Sequence, residues 1–274
     1  MIAPQSLTIG GNRIAYRTCG SGPDVLMIHG WVSSGMIWQG LMSQLAPHCR
    51  TWALDLMGFG ASSNGDPARA LSLDDQVQHV VAFCEAQHIQ PYAIIGHSMG
   101  GSVSLKLALD YPDLLKRLVV IAPVVSGRLP FNIHRLLGSP IGQTAMTLQH
   151  VIWPTATLLA PIGYFSAPFL ESEVVQRGIE DFKRATWGAT YGGLQSLLSL
   201  RLDQRLHEIA IPTLIMVGTH DLTVPPSESR LAASLIPNAL LLEMPKRHHS
   251  VLDEDAEFVR SHIHDFLDLA ANVV

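Results

Sequence analysis

Charge is scarce in this 274-residue chain: Asp, Glu, Lys and Arg make up 15% of it, against 47% hydrophobic residues. The formal net charge is −5 and no run of Lys or Arg occurs, which excludes the basic face that a nucleic-acid partner requires. Cysteine is rarer still. Cys19, Cys49 and Cys84 stand on separate segments without C-x-x-C spacing, so they read as reduced thiols of a cytoplasmic protein rather than a disulfide framework. Cys84 lies inside a helical pattern, far from any paired motif, which argues against a nucleophilic role. No H-E-x-x-H or comparable ligand spacing occurs among the histidines, so neither a metal nor another cofactor is expected. No purely apolar run reaches the ~18 residues of a spanning helix. Residues 1–11 also lack the basic-then-apolar order of a secretory signal.

What the chain does have is one glycine-framed serine. The apolar run 93–95 stops at Gly96, and a helical pattern (Val103, Leu105, Leu107, Ala108, Leu109) begins just after Ser98. Gly96-His97-Ser98-Met99-Gly100 between a strand and a helix is the G-x-S-x-G nucleophile elbow, a turn so sharp that the serine sits on strained backbone at its tip. A β-carbon at either glycine would collide with the neighbouring strand or helix. The helix that follows aims its N-terminus at the serine, where it favours developing negative charge.

Three more segments fall in order along the chain. One apolar run ends in Ile28-His29-Gly30-Trp31. A second, 213–217, leads to Gly218-Thr219-His220-Asp221 and then Val224-Pro225. The third is His248-His249-Ser250, just before a last amphipathic helix. A serine hydroxyl needs a base to take its proton as it attacks a carbonyl. Histidine suits that work, and a carboxylate holds the ring in the right tautomer.

With Asp55-Leu56-Met57-Gly58-Phe59-Gly60-Ala61-Ser62 added, the chain from about Arg13 to the last helix resembles the α/β-hydrolase family, although Met57 stands where proline is common. The order Ser, Asp, His belongs to that fold and differs from the orders of the two large serine-protease groups. The resemblance implies Ser98 as nucleophile. It implies Asp221 as orienting carboxylate, because Gly218-x-x-Asp221-x-x-Val224-Pro225 matches the family's acid loop. His249 is implied as base, because Ser250, Val251, Leu252, Asp253 and Glu254 follow it in the family's manner, whereas His248 occupies a position where glycine is frequent. The oxyanion hole would take the backbone N–H groups of Met99 and Trp31, with His29 ordering the loop that carries Trp31.

Strand and helix patterns alternate. A hairpin is expected over 7–9 and 13–18, strands over 25–29, 51–55, 92–95, 118–121, 213–217 and 240–243, and helices over 36–45, 73–88, 99–109, 227–235 and about 253–269. This implies an α/β fold, a mostly parallel eight-stranded sheet with helices on both faces, its core formed by 1–124 and 208–274. The interruption at 125–207 reads as helices over 133–137, 142–148, 173–184 and 194–200, and the resemblance implies that this insertion is a helical cap. Residues 136–170 hold no Asp, Glu, Lys or Arg, so the cap is expected to line an apolar pocket, with a lipase-like lid as the sharper alternative. Prolines at 140, 154, 161 and 168 argue against a continuous spanning helix there.

The expected activity is that of a serine hydrolase acting through an acyl-enzyme on small apolar carboxylic esters with short to medium acyl chains, about C2 to C8. Carbon–carbon bond hydrolases of the meta-cleavage type remain an alternative, although they usually carry Asn where His97 stands. Relatives with an aspartate nucleophile are excluded by Ser98. Hydroxynitrile lyases, cofactor-free perhydrolases, thioesterases and amidases share the triad, and some plant hormone receptors keep it as binding proteins. The pattern is silent on oligomeric state.

Overall fold

Eight strands form one sheet in the order β1-β2-β4-β3-β5-β6-β7-β8. The strands are β1 (Gln5–Ile9), β2 (Asn12–Cys19), β3 (Asp24–Ile28), β4 (Arg50–Leu54), β5 (Ala93–His97), β6 (Arg117–Ile121), β7 (Thr213–Gly218) and β8 (Ala239–Met244). β1 pairs with β2, and β2 with β4, antiparallel; every other pairing is parallel. The computed structural model describes residues 2–129 and 172–268.

The period-two alternation of the strands divides their side chains between two cores. Leu26, Ile28, Leu54, Ile94, Leu118, Val120 and Ile215 face one side. There they meet α2 (Leu73–Ala86) through Val77, Val80 and Phe83, and α3 (Met99–Asp110) through Val103 and Leu107. Val25, Met27, Ala53, Ile95, Val119, Ile121 and Met216 face the other. There they meet α1 (Gln39–Leu45) through Leu41, Met42 and Leu45, and the C-terminal helix through Val259, Ile263 and Leu267. Both faces of the central strands are dry, which is why those strands read as continuous apolar runs.

Local signals set the helix starts. Ser72 caps α2 in a reciprocal box with Asp75. Ser34 caps a short 3₁₀ turn, Gly35–Trp38, so α1 itself begins only at Gln39, three residues later than the pattern predicts. The last helix is broken rather than continuous. α7 (Val251–Glu254) ends at Asp255, whose extended φ of −150° precedes α8 (Ala256–Leu267). Arg247 holds the Asp255 carboxylate there at 2.9 Å.

In the insertion, α4 (Ser172–Arg184) lies where 173–184 was expected. α5 (Trp187–Leu198) starts seven residues before the predicted 194 and ends two before the predicted 200. Thr186 caps it, and its glycines are what let it pack. A β-carbon on Gly188 would strike the Arg69 carbonyl, and one on Gly192 the Leu71 backbone. α6 (Pro226–Leu235) completes the helices before β8. The helices expected over 133–137 and 142–148, and the uncharged stretch 136–170, lie outside the described residues. No helix among the described residues is long and apolar enough to cross a membrane.

Candidate active site

Parallel strands end together, so the segments that leave the carboxyl ends of β3, β5, β7 and β8 converge on one edge of the sheet. They carry Trp31, Ser98, Asp221 and His249.

Ser98 joins β5 to α3 at φ 54° and ψ −121°, a conformation that a residue with a β-carbon rarely adopts. Its amide donates to the Ile121 carbonyl at 2.8 Å, which ties the turn to β6. A β-carbon on Gly96 would collide with the Gly100 carbonyl and the Ser104 hydroxyl, and one on Gly100 with the Ile28 and His29 carbonyls. Both glycines of the motif are therefore required by the closeness of α3 to β3 and β5. Gly30 lies against the turn, where an added β-carbon would sit 3.1 Å from the Ser98 Cβ. This brings the chain at Trp31 beside Ser98. Met99 opens α3, so its amide belongs to the first turn, whose N–H groups have no partner within the helix.

Asp221 is buried, with no exposed side-chain surface. Its Oδ1 accepts from the amides of Thr223 (2.8 Å) and Val224 (2.9 Å), and its Oδ2 lies 2.7 Å from His249 Nδ1. With the carboxylate accepting throughout, the His249 proton sits on Nδ1 and Nε2 keeps a free lone pair. Ser98 and His249 line a common cavity of about 140 Å³, together with Trp31, His97 and, from α4, Val174, Arg177 and Asp181. The wall thus carries charged groups as well as apolar ones.

His97 was expected only to discriminate between chemistries, yet it touches His249. Its Nε2 donates to the His249 carbonyl at 3.0 Å, and the two rings lie 4.8 Å apart. Burial, with the neighbouring His249 charge adding, pushes its pKa down to about 3, so the ring stays neutral. Only the pairing of residues 152 positions apart reveals this contact.

His29 bridges two loops: its Nδ1 donates to the Gly30 carbonyl (2.8 Å) and its Nε2 accepts from the Leu56 amide (2.9 Å). Burial lowers its pKa, which suits a ring that accepts on one side. Asp55 completes the brace, accepting from the amides of Gly35 (2.7 Å) and Ala61 (2.9 Å). The segment from Asp55 to Ser62 therefore secures the Trp31 loop from behind. Trp31 itself donates from its indole to the Thr190 carbonyl of α5 at 2.9 Å. Arg177 and Asp181 carried no sequence signal, since they belong to no motif.

His248 points elsewhere. Its amide and its Nδ1 both meet Glu254 Oε2, at 2.8 and 3.0 Å. Burial drives the Cys49 and Cys84 thiols up to about 12, which leaves them unreactive. Among the described residues no group of three or more His, Cys, Asp or Glu side chains could hold a metal ion.

The family model described as the alpha/beta hydrolase family matches residues 25–261. An uncharacterized protein of Mycobacterium tuberculosis is 28% identical over 94% of this chain and 80% of its own. The pimeloyl-[acyl-carrier protein] methyl ester esterase of Vibrio vulnificus is 28% identical over 77% of this chain and 80% of its own. Among solved structures, a bromoperoxidase from Bacillus anthracis superposes with a TM-score of 0.82 at 20% identity, covering 97% of this chain and 99% of that one. At that identity the likeness speaks for the fold alone.

Proposed function

The chain belongs to the alpha/beta hydrolase family, and from that premise we propose that it is a serine hydrolase cleaving carboxylic esters of short to medium acyl chains. One observation carries the reading: the histidine whose Nδ1 is fixed by a buried carboxylate opens onto the same cavity as the strained serine. In this mechanism Ser98 Oγ attacks the acyl carbonyl while His249 Nε2 takes its proton. The Met99 and Trp31 amides donate to the oxygen as it becomes negative. His249 then returns the proton to the departing alcohol, leaving an acyl-enzyme. Water, deprotonated by the same nitrogen, releases the acid. Asp221 keeps the ring oriented and stabilises it when charged.

Residues 125–207 act as the cap, and α4 gives the cavity part of its wall. A cavity of about 140 Å³ supports short acyl chains over long ones. The relative from Vibrio vulnificus, named for a methyl ester, supports ester chemistry here. The test joins labelling with turnover. A fluorophosphonate should label Ser98 alone, and Ser98→Ala should lower p-nitrophenyl ester turnover by roughly four decades in a folded protein. A folded alanine variant of near-normal activity overturns the reading. Across acetate to palmitate, the rate should peak within about C2 to C8, because burial of each CH₂ gains about 0.8 kcal/mol only until the pocket fills. A sharp rise in rate where substrate passes its solubility limit would instead make the cap an interfacial lid.

A further inference from the structure

Val174, Arg177, Gly178 and Asp181 recur at the spacing of one helix face, and it is with this face that α4 walls the cavity holding Ser98. The two charged members differ. Arg177 is committed: its Nη2 donates to Asp253 Oδ2 at 2.7 Å. Asp181 is only 2% exposed and has no ion pair within 4.0 Å among the described residues. The Ser34 hydroxyl is near enough to pull its pKa down, and its oxygen receives the Met36 amide at 3.4 Å, which leaves at most one proton for Asp181. A carboxylate offers about four acceptor sites, and one hydroxyl fills one of them. A carboxylate buried with so little compensation costs stability. It becomes useful only when a donor arrives inside the cavity.

We propose that Asp181 is a substrate-recognising residue, accepting a hydrogen bond from a hydroxyl or amino group borne by the ester. The proposal rests on the serine-hydrolase reading above. It adds a polar subsite to a pocket that the sequence suggests is apolar, and it makes donor-bearing esters better substrates than their hydrocarbon isosteres.

The charges around Asp181 set when it can accept. Arg177 and Arg184 lie on its own helix, Asp55 faces it from the segment after β4, Arg17 from β2, and Asp253 from α7. Burial, with Asp55 adding, lifts its pKa to about 6, against the pull of the Ser34 hydroxyl and the two α4 arginines. Above that pH both oxygens accept; below it one becomes a donor.

The experiment compares kcat/KM within isosteric pairs, so that the contribution of the shared base divides out. Methyl 3-hydroxybutyrate and methyl 3-aminobutyrate are set against methyl 3-methylbutyrate, and 2-hydroxyethyl butyrate against propyl butyrate. At pH 8 at least one donor ester should lead its isostere by about ten-fold or more, the range of a hydrogen bond to a charged group. Asp181→Leu should bring that ratio to near one. In the wild type the hydroxyl ratio should decline as pH falls through about 6. Should the leucine variant not fold, Asp181→Asn keeps the shape but cannot ionise, and its ratio should be flat with pH. A larger ratio for the amine than for the hydroxyl identifies a cationic substrate, and the reverse a neutral one. Ratios near one for every wild-type pair, or a ratio that survives in Asp181→Leu, overturn the proposal while hydrocarbon esters still turn over and fluorophosphonate still labels Ser98. Loss of both the turnover and the labelling in wild type would bring down the hydrolase reading itself.

Discussion

His248 and His249 adjoin in the chain, and each holds its Nδ1 against a carboxylate, yet only His249 borders the cavity of Ser98. The carboxylates differ as well. Asp221 has both oxygens engaged, one by two loop amides and the other by the imidazole. Glu254 turns a single oxygen to the amide and ring of His248, and its buried Oε1 has no hydrogen-bond partner among the described residues. A histidine–carboxylate pair is therefore common coin. What distinguishes the Asp221–His249 pair is a carboxylate immobilised from behind and a ring that lines the cavity of Ser98. The Glu254–His248 pair is a clasp that holds the β8–α7 loop in register.

The largest expected effects separate these two pairs. His249→Ala should lower kcat by roughly 10⁴-fold or more, while His248→Ala should stay within about ten-fold of wild type, because it removes a clasp and not a proton acceptor. Steady-state ester kinetics on both variants decide the matter, and the opposite ranking would make His248 the base. The carboxylates should divide in the same way. Asp221→Asn should cost about 10⁴-fold in kcat by stabilising the wrong tautomer. Glu254→Gln should act mainly on thermal stability, by about 1 kcal/mol for a weakened charged hydrogen bond. A kcat loss in Glu254→Gln as deep as that in Asp221→Asn would erase the distinction.

A smaller effect concerns two buried neutral histidines, His97 beside His249 and His79 on α2 against the Asp55 carbonyl. His97 is held down to about 3 and His79 to about 4, both chiefly by burial. Their unfolded values lie near 6.5. Between those limits the unfolded chain binds protons that the folded one refuses. The stability they contribute is thus complete above about 6.5 and is lost as pH falls toward 4 and then 3. Melting temperature should fall along that course, and His79→Leu should flatten its upper part. A melting curve flat from pH 7 to pH 4 would contradict the burial of these rings. Smallest of all, EDTA should change ester turnover by nothing measurable; a loss restored by one added metal would overturn the metal-free mechanism.

The sheet was legible because buried parallel strands write themselves as apolar runs, and Val25 to Ile28 or Val119 to Ile121 have no other reading. That Ser98, Asp221 and His249 come together was legible because Ser98 and Asp221 each follow such a run in a spaced motif and His249 precedes the last helix in the manner of the resembled family. α5 was misplaced because its glycines serve close packing against residues 69–71, a purpose that propensity cannot express. The break at Asp255 was hidden because the apolar pattern runs across it. Asp181 and the contact of His97 with His249 were illegible for a common reason. Their meaning lies in neighbours brought from elsewhere in the chain, and a lone carboxylate on an amphipathic helix reads as solvated surface until its burial is known.

The backbone at Ser98 has a consequence for what selection must maintain. At φ 54° and ψ −121° the position suits glycine, and holding a side chain there costs about 1–3 kcal/mol. Glycine would add unfolded-state freedom worth only about 0.4–1 kcal/mol, so Ser98→Gly should melt at a higher temperature than the wild type while doing no chemistry. A β-branched threonine would strain the turn further although it keeps the hydroxyl. Left to drift under folding pressure alone, this position would lose its serine. Folding alone therefore gives no reason for a serine at this position; only a use for its hydroxyl would.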